Sequence, residues 1–297
     1  MIFSSKDPWR VSLHGGHSNA YCDHASSTLE EMIEAAIAAG YHTFGVTEHA
    51  PRLDARFLYP EEIALGWDVA RIAANFERYA VDVHAIADRF EDRITILRGF
   101  ETESAPAARY LDIMRDYRTR YPFDYMVGSI HYVDDFHIDG RMEDFERAVA
   151  HFGSFEALAT RYYRVVAEMV DALQPQVVGH LDLIRKNAPA GAVLDSPAIR
   201  EAVGAALESI RRHDAILDIN TAGYRKGLGS PYPQPWIIRE AHAMGIGLCF
   251  GDDSHAVHDV GAGLEAARLY LIDNGISTIS VFRRAGGGMV RYTASLT

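Results

Sequence analysis

Short apolar, β-branched runs alternate with amphipathic helical stretches along the whole chain, without a low-complexity tract or an interval long enough to be a linker. Residues 11–13 form the first strand-like run, which stops at His14. A helix is predicted over 28–39, where Ser27 or Thr28 can cap it and Glu30 and Glu31 supply the capping-box carboxylate and favour the positive helix start. Gly40 closes it. The next strand covers 41–47 and ends at Glu48-His49. A long helical stretch, 60–90, then leads to a strand at 94–100 that ends at Glu101. The alternation continues with helix 107–120, strand 123–130 ending at His131, and one or two helices over 142–173 broken near Gly153. A very short strand at 177–178 ends at Gly179-His180, helix 197–212 follows, and strand 215–219 ends at Asn220. Helix 235–244 precedes strand 246–250, which ends at Gly251-Asp252-Asp253-Ser254-His255. A helix near 260–274 and an apolar segment at 278–282 finish the pattern. Gly286-Gly287-Gly288 reads as a turn and not as a phosphate loop, because no Gly-Lys-Ser/Thr follows it.

Strands joined by helical connections of this length imply parallel pairing with both faces covered, hence an α/β class. An open doubly wound sheet would fit the alternation equally well. The polar residues decide between the two. His14/His17, Glu48/His49, Glu101, His131, His180, Asn220 and Asp253/His255 each follow or end a strand. An open sheet gathers its site at one crevice from a few strands, whereas a closed barrel brings every carboxyl end to one place. The expectation is a barrel forming a single domain over residues 1–297, with its site at the carboxyl end of the strands.

The unusual feature of the composition is 14 histidines. Half of them, His14, His17, His24, His49, His131, His180 and His255, fall at those strand ends or just beyond. Neutral imidazole is the commonest protein metal ligand. With Glu101 and Asp253 added, nine nitrogen and carboxylate donors exceed the needs of one ion and suit two or three. Without a thiolate among them, zinc, iron or manganese is expected rather than copper(I) or an iron–sulfur cluster. Glu101, alone at its strand end among histidines, is the natural bridging carboxylate. The remaining histidines, His42, His84, His137, His151, His213, His242 and His258, are read as structural or solvated. Cys22 and Cys249 are read as small buried hydrophobes.

Net charge narrows the partners. With 29 Lys and Arg against 41 Asp and Glu, the chain carries −12, and no Lys/Arg block breaks that excess. Nucleic acid and anionic membrane are disfavoured, since both are held by phosphate neutralisation. No apolar run reaches membrane-spanning length, and the first ten residues lack the charged-then-apolar order of a signal peptide. A cytoplasmic protein acting on a small molecule is expected.

The motifs then become specific. His17-Ser18, Cys22-Asp23-His24-Ala25 and Val46-Thr47-Glu48-His49-Ala50-Pro51 resemble the opening motifs of the polymerase-and-histidinol-phosphatase (PHP) family. Gly99-Phe100-Glu101, Gly128-Ser129-Ile130-His131, Gly179-His180-Leu181-Asp182-Leu183, Ile219-Asn220-Thr221-Ala222-Gly223 and Gly251-Asp252-Asp253-Ser254-His255 follow in order, so the resemblance runs from about residue 11 to 262. The Cys-Asp-His-Ala and Glu-His-Ala-Pro variants are most similar to the stand-alone histidinol-phosphatase branch. The resemblance implies a distorted (β/α)7 barrel, a trinuclear metal site and hydrolysis of a phosphomonoester in histidine biosynthesis. One departure stands out. Where the family's first motif usually has His-x-His, this chain has His14-Gly15-Gly16-His17, which in a regular strand would point the two rings apart. A bulge at the glycines would restore convergence by absorbing one extra residue, with glycine supplying a positive φ. Asp252, before the aligned Asp253, is expected to orient a ligand histidine.

For a phosphate ester, the expected nucleophile is metal-bound hydroxide and no side chain is assigned that role. Arg185 and Lys186 after His180, and Arg225 and Lys226 after Asn220-Thr221, are the candidate phosphate-binding cations. Glu103 or Asp134 could read the substrate's amine. The rival readings are a PHP-type phosphatase or phosphodiesterase for another small ester, a non-catalytic PHP-like module and a metal-dependent amidohydrolase. The completeness of the donor set argues against the module, and Glu101 stands where amidohydrolases commonly carry a carbamylated lysine.

Overall fold

The computed structural model describes residues 7–285 and 288–297. Gly286 and Gly287 of the expected glycine turn, and the first six residues of the amino terminus, lie outside the described residues. The strands are β1 (Val11–Gly16), β2 (Thr43–His49), β3 (Thr95–Glu101), β4 (Tyr125–Gly128), β5 (Tyr132–Val133), β6 (Phe136–His137), β7 (Val177–Val178), β8 (Ile216–Asn220), β9 (Leu248–Gly251), β10 (Thr278–Ala285) and β11 (Gly288–Ser295). The helices are α1 (Leu29–Ala38), α2 (Pro60–Ala64), α3 (Val69–Arg89), α4 (Tyr110–Arg120), α5 (Met142–Phe152), α6 (Phe155–Leu173), α7 (Pro197–Arg212), α8 (Ala222–Arg225), α9 (Pro235–Ala243) and α10 (Leu264–Asp273). Among the described residues, no helix is long and apolar enough to cross a membrane.

Seven strands pair in parallel in the order β1-β2-β3-β4-β7-β8-β9. The ends of that sheet then meet. The Asp252 and Asp253 N–H groups both donate to the His14 carbonyl at 2.8 Å, Ser254 N–H donates to the Gly15 carbonyl at 2.9 Å, and His17 N–H donates to the Ser254 carbonyl at 2.8 Å. The result is the distorted seven-stranded barrel expected from the strand ends, with helices around it. Leu13, Leu97, Tyr125, Val127, Val177, Ile216 and Cys249 fill its interior, so the barrel is a packed core and not a pore.

Local signals decide most element boundaries. Thr28 caps α1 through the Glu31 N–H, and the Glu31 carboxylate accepts from the Thr28 N–H at 2.8 Å, completing the predicted capping box. Gly153, at φ 86°, separates α5 from α6. The stretch predicted as one helix over 60–90 is two, α2 and α3, because Gly66 turns at φ 71° and Asp68 caps a new start. Two elements escaped the pattern altogether. The β5–β6 hairpin is only four paired residues, too short to show periodicity. The apolar segment at 278–282 belongs to a β10–β11 hairpin outside the barrel sheet. Phe282 enters the interior cluster, while Arg284 pairs with Asp124 and Arg291 with Asp214 just before β4 and β8, so this hairpin covers the amino end of the barrel.

The glycine pair in β1 does form a bulge. Ser12 is opposite Phe44 and Gly16 opposite Val46, so four steps on β1 match two on β2. Two extra residues are absorbed, not one, and neither glycine takes a positive φ. The reason glycine is needed is close approach: a Cβ on Gly15 would stand 2.3 Å from the Gly45 carbonyl oxygen and 2.8 Å from the Phe44 ring. The same atom on Gly16 would stand 3.3 Å from Met32 and Phe44, which small shifts accommodate. Gly15→Ala should therefore lower the thermal unfolding midpoint, at a cost of about 1–3 kcal/mol for the overpacking, and should do so more than Gly16→Ala. Equal midpoints for the two variants in a denaturation series would contradict this account.

Candidate metal centre

The nine sequence-selected donors converge at the carboxyl end of the barrel in two layers. His14, His17 and Glu101 form a floor with no solvent exposure. His24, His49, His131, His180, Asp253 and His255 rise from it to line a cavity of about 600 Å³. Glu101 is the hub. Its Oε1 lies 3.2 Å from His14 Nε2, 3.1 Å from His180 Nε2 and 3.5 Å from His131 Nε2. Its Oε2 lies 2.7 Å from His49 Nδ1 and 3.8 Å from His17 Nε2. Asp253 faces it from the last strand, with Oδ1 3.4 Å from His17 Nε2, 3.8 Å from His255 Nδ1 and 4.0 Å from His14 Nε2.

The donors fit divalent cations. His14 Nε2, both ring nitrogens of His17, Glu101 Oε2, His180 Nδ1 and His255 Nε2 are buried and lack a hydrogen-bond partner. Buried polar atoms are rarely left so, and a cluster of them marks atoms shaped for something other than a protein hydrogen bond. His17 stacks on His49 and on His255 at ring separations of 4.1 and 4.3 Å. Burial, then the neighbouring His49, pushes His17 down to about 3, and burial with His17 holds His255 well below its ordinary value. Both rings are thus neutral, the form that ligates. Burial works against charge on Glu101, but His14, His131 and His49 outweigh it and hold the carboxyl well below the usual range. Among the described residues, overlapping groups such as His14-His17-Glu101, His49-Glu101-His131 and His17-Asp253-His255 each place three donor atoms within 4.8 Å of one another.

Residues behind the donors orient them. Asp218, in β8, accepts from or pairs with His14 Nδ1 at 3.0 Å and is itself held by Asn220 Nδ2 at 2.9 Å. Glu103 faces His131 Nδ1 at 3.5 Å, so it is engaged with that ring and is not free to read an amine. Sequence reasoning missed Asp218 because it sits two residues before the strand end, where the pleat points it inward beside Asn220. Asp252 does not orient a histidine as expected. Its carboxylate accepts from Tyr41 Oη at 2.7 Å and from the Gly261 N–H at 2.9 Å, locking the loop after β9, and burial pushes it up to about 7. The backbone is strained at two of the donors: His180 and Asp253 adopt φ of 21° and 49°. Such conformations persist where the surroundings over-determine them.

The candidate substrate-binding cations divide. Lys186, Arg225 and Lys226 line the cavity, joined by Arg141, which carried no motif. Arg225 Nη2 donates to the carbonyls of Asp252 and Asp253 at 2.7 and 2.8 Å, while its Nη1 is buried without a partner. Arg185 does not reach the cavity. Its guanidinium pairs with Asp182 at 2.9 Å, bonds the Pro231 carbonyl and lies over the Tyr232 ring. Loop position showed a cation near the mouth but not which way it turns. Asp134 pairs with Arg161 on the surface, so it cannot read a ligand in the cavity either. The carboxylates that do line it include Asp23, Glu61, Asp139 and Asp144. Of the histidines set aside as structural, His137 alone among the described residues lines the cavity, stacked on Tyr132 at 4.5 Å and Tyr59 at 5.3 Å with Asp139 at 3.0 Å from its Nε2. It was passed over because the β5–β6 hairpin that delivers it was not visible as a strand.

Comparison with known proteins agrees with this geometry. The chain is 32% identical over 282 residues to the probable histidinol-phosphatase of Schizosaccharomyces pombe, covering 94% of this chain and 91% of that protein. It is 30% identical over 264 residues to the histidinol-phosphatase of Bacillus subtilis, covering 84% of this chain and 96% of that one. Its fold matches the solved structure of histidinol phosphate phosphatase from Lactococcus lactis, a complex with zinc, L-histidinol and phosphate. The TM-score is 0.71 at 19% identity, over 95% of this chain and 99% of the other. The PHP domain itself matches residues 14–222, from His14 to the turn after β8, and by that match the chain belongs to the PHP domain family.

Proposed function

We infer that this chain is a metal-dependent phosphoric monoester hydrolase that converts L-histidinol phosphate and water to L-histidinol and phosphate. The observation that carries the reading is Glu101, one buried carboxylate faced by five imidazoles at 2.7–3.8 Å, with Asp253 opposite. The names of the Schizosaccharomyces pombe and Bacillus subtilis relatives support the substrate, and the zinc, histidinol and phosphate of the Lactococcus lactis complex support its two halves. Nine donors suit two or three ions, of zinc, iron or manganese. When bound, such ions would supply Lewis acidity toward water and the phosphoryl oxygens.

The chain's own groups do the rest. Glu101 spans the donor groups as the shared carboxylate, and Asp218 and Glu103 set the ring orientations of His14 and His131. Arg225, braced on the backbone of Asp252 and Asp253 and paired through Nε with Asp259, lies in the cavity wall, where its guanidinium can hold a phosphoryl oxygen. Lys186 and Lys226 add positive charge to the cavity lining. Asp23, Glu61 and Asp144 supply carboxylates in the lining that suit a cationic amine and imidazole. Among the described residues the cavity lining contains no Ser, Thr or Cys, which supports attack by water and not by an aliphatic hydroxyl or a thiol.

A strong chelator should abolish phosphate release, and zinc, iron or manganese should restore it; undiminished turnover by fully demetallated protein would exclude this chemistry. Glu101→Gln should lower kcat by at least about a hundredfold, the loss of an interaction needed in the transition state, with the folded circular dichroism spectrum retained.

Asp218→Asn removes no ligand, yet metal affinity should fall about 10–100-fold, as loss of a ligand-orienting partner does. Calorimetric or competition titration of the metal reads this directly, and wild-type affinity would show that His14 needs no such support.

Arg225→Ala should act mainly on KM, as loss of uniform phosphate binding does. For the wild type, kcat/KM for histidinol phosphate should exceed that for a phosphate monoester with an uncharged alkyl leaving group by at least about tenfold, roughly 1.4 kcal/mol of transition-state discrimination. A competition assay without preference, or one favouring cyclic or polyphosphate esters, would leave the phosphatase reading in place and remove the substrate.

A further inference from the structure

Cys22 lies in the loop between β1 and α1, 7% exposed. Its surroundings are not those of a packing cysteine. The sulfur is 3.3 Å from His24 Nδ1 and 3.5 Å from His24 Nε2. One donor atom each from Cys22, His24, His49 and His255 lie within 4.8 Å of one another. Cys249 is the internal comparison, buried in the apolar cluster of Leu13, Leu97, Tyr125 and Ile216 inside the barrel.

The loop is pinned so that the thiol keeps this orientation. Cys22 N–H donates to the Ser18 carbonyl at 2.9 Å, and Asn19 N–H donates to the Ser27 carbonyl at 2.9 Å. Ser26 N–H donates to the His255 carbonyl at 2.8 Å, tying the loop of Cys22 and His24 to the segment that carries His255. The cluster also holds an orphan, since His255 Nε2 is buried with no hydrogen-bond partner. His49 turns Nδ1 to Glu101, which leaves Nε2 as its second donor.

We propose that Cys22 is a thiolate ligand, completing with His24, His49 and His255 a four-donor site at the rim of the centre that selects zinc or another thiophilic ion over manganese. The proposal rests on the metal reading above, because three of its four donors belong to that set. One sulfur and three nitrogens make the closed tetrahedral set that zinc takes in structural sites, with Zn–S about 2.3 Å and Zn–N about 2.0–2.1 Å. Sulfur is a poor partner for manganese, which prefers carboxylate and water. Binding exchanges the S–H bond for a sulfur–metal bond and releases the proton to water, so no oxidant or reductant is involved. An ion held by these four donors would tie the loop after β1 to the segment after β9, beside the donors around Glu101 and Asp253.

The test is the absorption spectrum of the full chain loaded with cobalt(II), for wild type, Cys22→Ser, Cys22→Ala and Cys249→Ala. Wild type and Cys249→Ala should show a near-ultraviolet thiolate-to-cobalt charge-transfer band together with d–d bands. Both Cys22 variants should lose the charge-transfer band, keep d–d absorption, and retain less zinc per chain when challenged with excess manganese. A band that survives in either Cys22 variant, or a wild type with d–d bands and no charge transfer, overturns the thiolate assignment while leaving the metal reading standing. A wild type that takes up no cobalt overturns both. Because the wild-type spectrum is decisive by itself, poor folding of a variant does not shelter the proposal.

Discussion

The carbonyl of His14 accepts the N–H groups of both Asp252 and Asp253, and on that pair of hydrogen bonds the architecture turns. They join the first strand of the sheet to the loop after the last, and so convert seven parallel strands into a barrel. They also bring the donors of the two ends of the chain together, since His14 lies in β1 and His17 just after it, while Asp253 and His255 follow β9. Closure and site assembly are therefore the same event. The bulge at Gly15-Gly16 belongs to it as well. Absorbing two residues there puts His14 and His17 on the same carboxylates, and the close approach of β2 leaves no room for a side chain on Gly15.

Convergence of so many donors creates an electrostatic problem that the composition alone would not suggest. Glu101 and Asp253 keep their charge in a buried setting because imidazoles surround them. The imidazoles His17 and His255 in turn are neutral, because burial and neighbouring rings penalise their protonation. Divalent cations, when bound among these donors, would pair with the two carboxylates, as buried charges require. Above this floor the cavity wall carries both cations, Lys186, Arg225 and Lys226, and carboxylates, among them Asp23, Glu61 and Asp144. That arrangement suits a small ester with an anionic end and a cationic end, within a protein whose net charge of −12 would otherwise repel phosphate.

What the sequence determined by itself was the periodic part. Alternating strands and helices, the Thr28–Glu31 capping box and the break at Gly153 follow from backbone chemistry within a few residues, so they are visible locally. The nine donors were legible for a related reason: a parallel strand delivers the residue at its carboxyl end to one rim, so position along the chain maps to position in space. Only the tertiary structure decided the orientation of everything off that rim. Whether Arg185 turns into the cavity or onto Asp182, whether Asp252 supports a ligand or Tyr41, and whether His137 is solvated or stacked in the wall depend on contacts with residues far away in sequence. Asp218 stayed hidden for the same cause, because its partner His14 is 204 residues distant and a hydrogen bond of that span leaves no local pattern. Periodicity reports which side of an element a residue occupies, while the choice among competing partners on that side is made only when the barrel closes.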